Sequence, residues 1–96
     1  MEFTLLSRAY CSLCGVMEAE LAGVIVGTPA LLHVVDVDAF PDLASRWGDL
    51  VPVLFAGPAL PENEVCHYHL NRAAVVRALQ DAPSSAAPVA ADPRIG

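Results

Sequence analysis

The chain has 96 residues, of which 55% are hydrophobic, so its composition is that of one folded domain and excludes a wholly disordered polypeptide. Its 5 basic residues, all arginine, stand against 11 acidic residues, for a formal net charge of −6. Because nucleic acids and anionic membranes bind to clustered cations, this charge balance argues against both as partners.

The beginning of the chain, MEFTLLSRAY, has no basic segment ahead of a long apolar run, so no secretory signal is predicted. The longest uncharged stretch, residues 21–35, is too short to span a bilayer. We therefore expect a soluble, cytoplasmic monomer. Thiols stay reduced in the cytoplasm, so a close pair of cysteines there indicates redox chemistry or a metal site rather than a disulfide framework.

The first half of the chain predicts a strand, a helix and a second strand. Residues 3–7 form a short apolar run, and the apolar side chains between Leu13 and Ile25 recur on one face of a helix. Gly27 and Pro29 end this helix. Residues 31–37 are almost continuously apolar, which is typical of a strand covered on both faces in a parallel pair.

The second half predicts a short helix between Pro41 and Gly48, then two strands and a last helix capped by Asn71. The two strands are residues 52–56 and 64–70, and the last helix is residues 72–80. From residue 81 the chain is rich in alanine, serine and proline, and a disordered tail is predicted. Residues 1–80 are thus expected to form one α/β domain of order β-α-β-α-β-β-α.

Two cysteines, Cys11 and Cys14, lie between the first predicted strand and the first helix. In open α/β sheets, chemistry gathers at this place, beside helix N-termini. A thiol in the first turn of a helix is expected to have a pKa lowered from about 8.5 into a range of roughly 3.5–7.5. Cys11 is therefore predicted to attack a substrate disulfide, and Cys14, one turn deeper, to resolve the mixed disulfide.

The residues around the pair are candidates for substrate contact, each with a structural alternative. Arg8 would stabilise the Cys11 thiolate or lie solvated on the surface, and Tyr10 would border a groove or be half-buried. Ser12 would contact substrate or cap the helix. Leu13 would contact substrate or pack with the other apolar side chains on the same face of the helix.

Four segments, TLLSRAYCSLCGVMEAEL, VVDVD, LVPVLF and EVCHYHLNRAAVVRAL, together resemble the small bacterial glutaredoxin-like proteins of the thioredoxin superfamily. The resemblance implies a thioredoxin/glutaredoxin-like fold whose four-stranded mixed sheet is flanked by helices, with the third strand antiparallel to the first. It also implies Cys11 as nucleophile, Cys14 as resolving thiol and a thiol–disulfide oxidoreductase without a bound cofactor. Glutathione or a partner reductase would supply electrons, and the substrate would be a protein or glutathione mixed disulfide.

Pro52 matches the cis-proline that begins the third strand in this superfamily, and a cis Val51–Pro52 bond would leave the Val51 backbone free for substrate. Other positions depart from the glutaredoxin pattern. Ser12 and Leu13 replace the usual proline and tyrosine between the cysteines. The segment HYHLNR has no Gly-Gly turn, and Asn71 replaces an acidic residue. These departures weaken the prediction of glutathione specificity.

Two other functions stay open from the sequence. A zinc site could combine Cys11 and Cys14 with Cys66 and either His67 or His69. Against this site, strand alternation points the two histidines away from Cys66, which is expected to pack as a small buried residue. The other alternative is a redox-silent domain that keeps the fold to bind a partner.

Four further residues have structural assignments. His33 is expected to be a hydrogen-bonded histidine in a central strand, and Trp47 is expected to pack on the sheet. Asp36 and Asp38 are expected to be loop carboxylates, one of which could accept a proton near Cys14.

Overall fold

The computed structural model describes residues 1–81, which form a four-stranded sheet with three α-helices. The strands are β1 (Glu2–Ser7), β2 (Leu31–Asp36), β3 (Val53–Ala56) and β4 (Glu64–His67). The helices are α1 (Ser12–Ile25), α2 (Pro41–Trp47) and α3 (Arg72–Asp81), and two short 3₁₀ turns precede α2 and β4. The predicted order of strands and helices is confirmed. The predicted disordered tail lies outside the described residues, except that Asp81 belongs to α3.

The sheet order is β2-β1-β3-β4. β1 and β2 are parallel, with Leu5 opposite Val34, whereas β3 runs antiparallel to β1 and to β4. The mixed sheet and the antiparallel third strand are as the resemblance implied. Because Leu6 pairs with Val53, the end of β1 and the beginning of β3 meet at one end of the sheet. The loops that follow β1 and precede β3 therefore lie at that end.

The sheet is covered on both faces by an apolar layer, because successive strand residues point to opposite sides. One layer holds the buried side chains of β1 and β3 that α1 and α3 cover, and the other holds those that α2 covers. The first consists of Phe3, Leu5, Met17, Leu21, Leu54 and Val75, and the second of Leu6, Val37, Trp47, Val53 and Phe55. Trp47 packs edge-on against Phe55, with ring centroids 5.1 Å apart, which confirms its predicted position on the sheet.

The position of β2 differs from the prediction. It is an edge strand whose two faces are each only partly covered. Leu31 and Val34 are exposed, whereas Leu32 packs against the first apolar layer and Val35 against the second. His33 is not a core residue either: its Nε2 lies 2.8 Å from Glu2 Oε1 on the surface. An apolar sequence does not indicate how many strands will lie beside the strand it forms. In this sheet β1 is the single neighbour of β2.

The apolar stripe of α1 is only partly buried. Met17 and Leu21 are in the core, but Leu13 and Val16, at the beginning of the stripe, are exposed. The helical period was therefore predicted correctly, whereas the expected packing of Leu13 was wrong. The buried face of α1 begins instead at Cys14, the residue directly after Leu13.

The chain leaves β4 earlier than predicted. The strand ends at His67, and Tyr68 adopts a left-handed φ of 65°, so the predicted alternation does not continue through His69. Asn71 caps α3 as predicted, since its Oδ1 accepts the Ala74 N–H at 3.0 Å. Within residues 1–81, no helix is both long enough and apolar enough to cross a bilayer.

Candidate functional site

The cysteine pair lies at the beginning of α1, directly after the loop that follows β1. Cys11 is the N-cap of the helix, and its Sγ accepts the backbone N–H of Cys14 at 3.2 Å. Ser12 is the first helical residue and not the cap. A sulfur that caps a helix lies among the free N–H groups of the first turn, where negative charge is stabilised.

Cys11 and Cys14 are joined by a disulfide, with their Cα atoms 5.3 Å apart. The two residues differ in burial. Cys14 is only 2% exposed and belongs to the core, whereas Cys11 is partly exposed. A reagent approaching from solvent therefore meets the Cys11 sulfur first.

A shallow groove runs beside the disulfide and is lined by Arg8, Tyr10, Ser12 and Glu18 together with both cysteines. Three of the predicted contact residues thus lie together in one groove, and Glu18 was not predicted. Leu13 is not in this lining, although it is 37% exposed on the same helix. Glu18 follows Cys14 by four residues, so the two side chains lie on the same side of the helix. This spacing is the signal in the sequence that could have identified Glu18.

Tyr10 is the most exposed large hydrophobic residue among residues 1–81, with a relative exposure of 107%, and its φ is 60°. The structural alternative of a half-buried tyrosine is therefore wrong. A left-handed backbone at a residue other than glycine, asparagine or aspartate costs free energy, which the contacts of the surrounding loop must supply. The loop thus presents an aromatic ring to solvent directly beside Cys11.

Arg8 binds other parts of the chain rather than a cysteine. Its guanidinium donates to both carboxylate oxygens of Asp38, at 2.9 and 3.0 Å, and to the Gly48 carbonyl at 3.0 Å. The hydrogen bond with Asp38 raises the pKa of Arg8, and the charges of Asp49 and Asp36 raise it further. Asp38 is therefore the ion-pair partner of Arg8, and Asp36 accepts the Asp38 N–H at 2.9 Å.

The Val51–Pro52 peptide bond is cis, and Pro52 is buried. Since Val53 pairs with the end of β1, this bond lies at the end of the sheet where the cysteine loop begins. Tyr68 holds the segment from the other side: its N–H donates to the Pro52 carbonyl at 2.9 Å and its hydroxyl to the Asp49 carbonyl at 3.0 Å. Sequence reasoning missed this role of Tyr68, which depends on a turn that no local motif indicates.

The third cysteine and the histidines do not join the site. Cys66 is half-buried opposite Leu54, and burial raises the pKa of its thiol. His67 lies on the surface with its Nδ1 2.8 Å from Glu64 Oε2. In the part of the chain that the structure describes, no group of three or more Cys, His, Asp or Glu side chains is placed to hold a metal ion.

The mixed four-stranded sheet, its flanking helices and the Cys-x-x-Cys pair at the beginning of α1 together define a protein of the thioredoxin-fold class. A family model described as glutaredoxin-like domain (DUF836) matches residues 2–80. The chain therefore belongs to this glutaredoxin-like family. Among curated proteins, no relative matches the chain.

Solved structures agree with this assignment. The solution structure of protein Ne2328 from Nitrosomonas europaea is 31% identical, with a TM-score of 0.65, over 79% of this chain and 87% of that one. The X-ray structure of protein XcR50 from X. campestris is 25% identical, with a TM-score of 0.57, over 84% and 99%. Thioredoxin 1 from Thermosipho africanus is 18% identical, with a TM-score of 0.55, over 83% and 96%, and shows the fold alone.

Proposed function

We propose that this protein is a thiol–disulfide oxidoreductase in which Cys11 and Cys14 exchange disulfides with a substrate. One observation carries the proposal. The more exposed cysteine caps a helix and accepts an N–H hydrogen bond on its sulfur, while its partner is buried one turn deeper. This arrangement favours a thiolate at Cys11 and leaves Cys14 reachable only by a neighbouring sulfur.

In the reducing direction, the Cys11 thiolate attacks one sulfur of a substrate disulfide and forms a mixed disulfide. The other substrate sulfur leaves as a thiolate. Cys14 then loses its proton to solvent and attacks the Cys11 sulfur, which expels the second substrate thiolate and forms the Cys11–Cys14 disulfide. The substrate gains two electrons, the protein loses two, and a thiol or dithiol reductant restores the pair.

The substrate contacts belong to the same proposal. Tyr10, Ser12 and Arg8 line the groove beside Cys11, and Leu13 extends the exposed surface of the helix. Val51, in front of Pro52, offers its backbone at the same end of the sheet. No resident cofactor is required; glutathione or a partner dithiol protein is the proposed reductant, and the monomer is proposed to act in the cytoplasm.

The test is to trap the mixed disulfide. Cys14→Ser removes the resolving thiol, so this variant, reduced and mixed with a disulfide substrate, is expected to accumulate an adduct at Cys11 that peptide mass spectrometry locates. Cys11→Ser is expected to form no adduct and to lose turnover. Cys66→Ser is the matched control and is expected to turn over like the unmodified protein. Turnover by Cys11→Ser would overturn the proposal.

A further inference from the structure

The groove beside the disulfide has an uneven distribution of charge. Its charged side chains are Arg8 and Glu18. Within residues 1–81 the ion pairs are those of Arg8, His33 and His67, and none of them involves Glu18. The Glu18 carboxylate is exposed on the outer side of α1, one turn from Cys14.

The positive charge of Arg8 is balanced within the fold. The two oxygens of Asp38 accept from Nε and Nη2 of Arg8, which is one edge of the guanidinium, in a forked ion pair. A second hollow shares Ser7 and Arg8 with the groove and contains Asp36, so the surface continues from the disulfide past Arg8 to another carboxylate. With Arg8 paired to Asp38, this surface presents net negative charge from Glu18 and Asp36 to an approaching substrate.

Tyr10 lies on this surface beside Cys11. Among residues 1–81 its ring is fully exposed, and its backbone is held at a φ of 60°. An exposed aromatic face beside a carboxylate suits the alkyl stems and cationic groups of lysine and arginine, which stack on aromatic rings.

We propose that this groove selects disulfides in basic polypeptide segments, with Glu18 as a specificity-determining residue and Tyr10 as the aromatic contact. The inference rests on the proposed function, because it names the substrate class of the same dithiol. Glutathione, which carries two carboxylates and one ammonium, has net negative charge and is expected to be the poorer substrate in this field.

The test uses three synthetic peptides that differ only in the residues beside one cysteine, which are lysine, glutamine or glutamate. Each cysteine carries thionitrobenzoate as a mixed disulfide, and glutathione with the same group is the fourth probe. Cys11 attacks the peptide sulfur and releases the coloured aryl thiolate; Cys14 then frees the peptide thiol. The second-order rate constant is read from absorbance at low salt and at ~1 M salt, where the Debye length is about 3 Å.

At low salt the lysine peptide is expected to react about tenfold faster than the glutamate peptide and glutathione, and the difference is expected to disappear at high salt. Glu18→Gln is expected to reduce the ratio of the lysine-peptide rate to the glutamine-peptide rate about threefold, the effect of one unit charge ~6 Å from another in water. Glu62→Gln is the matched control. This variant makes the same charge change at the opposite end of the sheet, beyond the end of β3 where Ala56 pairs with Phe3. It is expected to leave this ratio of rates unchanged.

Two results would overturn the inference, and they are distinguishable. In the first, all four probes react at equal rates that depend on Cys11 and exceed the rate with a free thiol. This result would contradict selection by charge but would agree with the proposed oxidoreductase function. Rates no faster than with a free thiol for every probe would remove the proposed function, and the substrate class with it.

Discussion

The Arg8 guanidinium donates a hydrogen bond to the carbonyl of Gly48 at 3.0 Å, and so ties the loop before the cysteines to the end of α2. Gly48 itself has no room for a side chain. A Cβ there would lie 2.5 Å from the Ala44 carbonyl oxygen and 3.0 Å from Arg8 Nη2. The segment that leads to Pro52 thus depends on a glycine at its start.

Gly48→Ala is therefore expected to destabilise the protein by about 1–3 kcal/mol, because the methyl group displaces backbone as well as the Arg8 side chain. Gly23→Ala is the control. Gly23 lies inside α1, and apart from its chain neighbours and its own helix backbone no atom of residues 1–81 lies within 4 Å of an added Cβ. Alanine there is therefore expected to stabilise the protein by about 0.5–1 kcal/mol. Urea denaturation of both variants measures the difference, and equal effects would contradict the close approach at Gly48.

Tyr10→Gly is expected to raise stability and lower activity together. Glycine adopts a φ of 60° without strain, and the exposed ring loses no packing, so the gain is about 1 kcal/mol. Loss of the ring beside Cys11 is expected to raise KM for a peptide disulfide. Thermal unfolding and steady-state kinetics measure the two effects. Tyr10→Phe, which keeps the ring, is expected to keep KM, and a raised KM in this variant would contradict the contact.

Cys66 is expected to make the stability of the fold decrease as pH rises. Because burial raises the pKa of its thiol in the folded protein, the unfolded chain loses this proton at lower pH than the folded chain. The stability that Cys66 contributes is therefore complete below its unfolded pKa of about 8.5, and is lost as pH rises through the folded pKa.

The measurement is the free energy of unfolding against pH, with the Cys11–Cys14 disulfide kept oxidised so that Cys66 is the titrating thiol. The unmodified protein is expected to lose more stability above the thiol pKa than Cys66→Ala does. Parallel curves for the two proteins would show that Cys66 has the same pKa folded and unfolded.

The order of strands and helices could be predicted because its signals are local. A proline begins α2, Asn71 caps α3, and the apolar period of α1 lies within its own sequence. The edge position of β2 could not be predicted in this way, since it depends on which strands lie beside β1. The exposure of His33 follows from the same cause.

In the candidate site, too, features set by local sequence could be predicted, whereas contacts between distant residues could not. The position of Cys11 and Cys14 at the beginning of α1 follows from short-range pattern and is found in the structure. The Arg8–Asp38 pair and the bond from Tyr68 to Asp49 join residues 30 and 19 positions apart, so no spacing rule identifies them. The left-handed backbone of Tyr10 is likewise unpredictable, because tyrosine does not favour that conformation.

The central claim, that Cys11 is an activated nucleophile beside a protected Cys14, is tested most directly by the pH dependence of alkylation in the reduced protein. Peptide mass spectrometry reads each site separately. We expect Cys11 to react with an apparent pKa below the roughly 8.5 of a free thiol and Cys14 to react slowly at every pH. An alkylation rate at Cys11 that titrates like a free thiol, or a Cys14 that reacts first, would contradict the account.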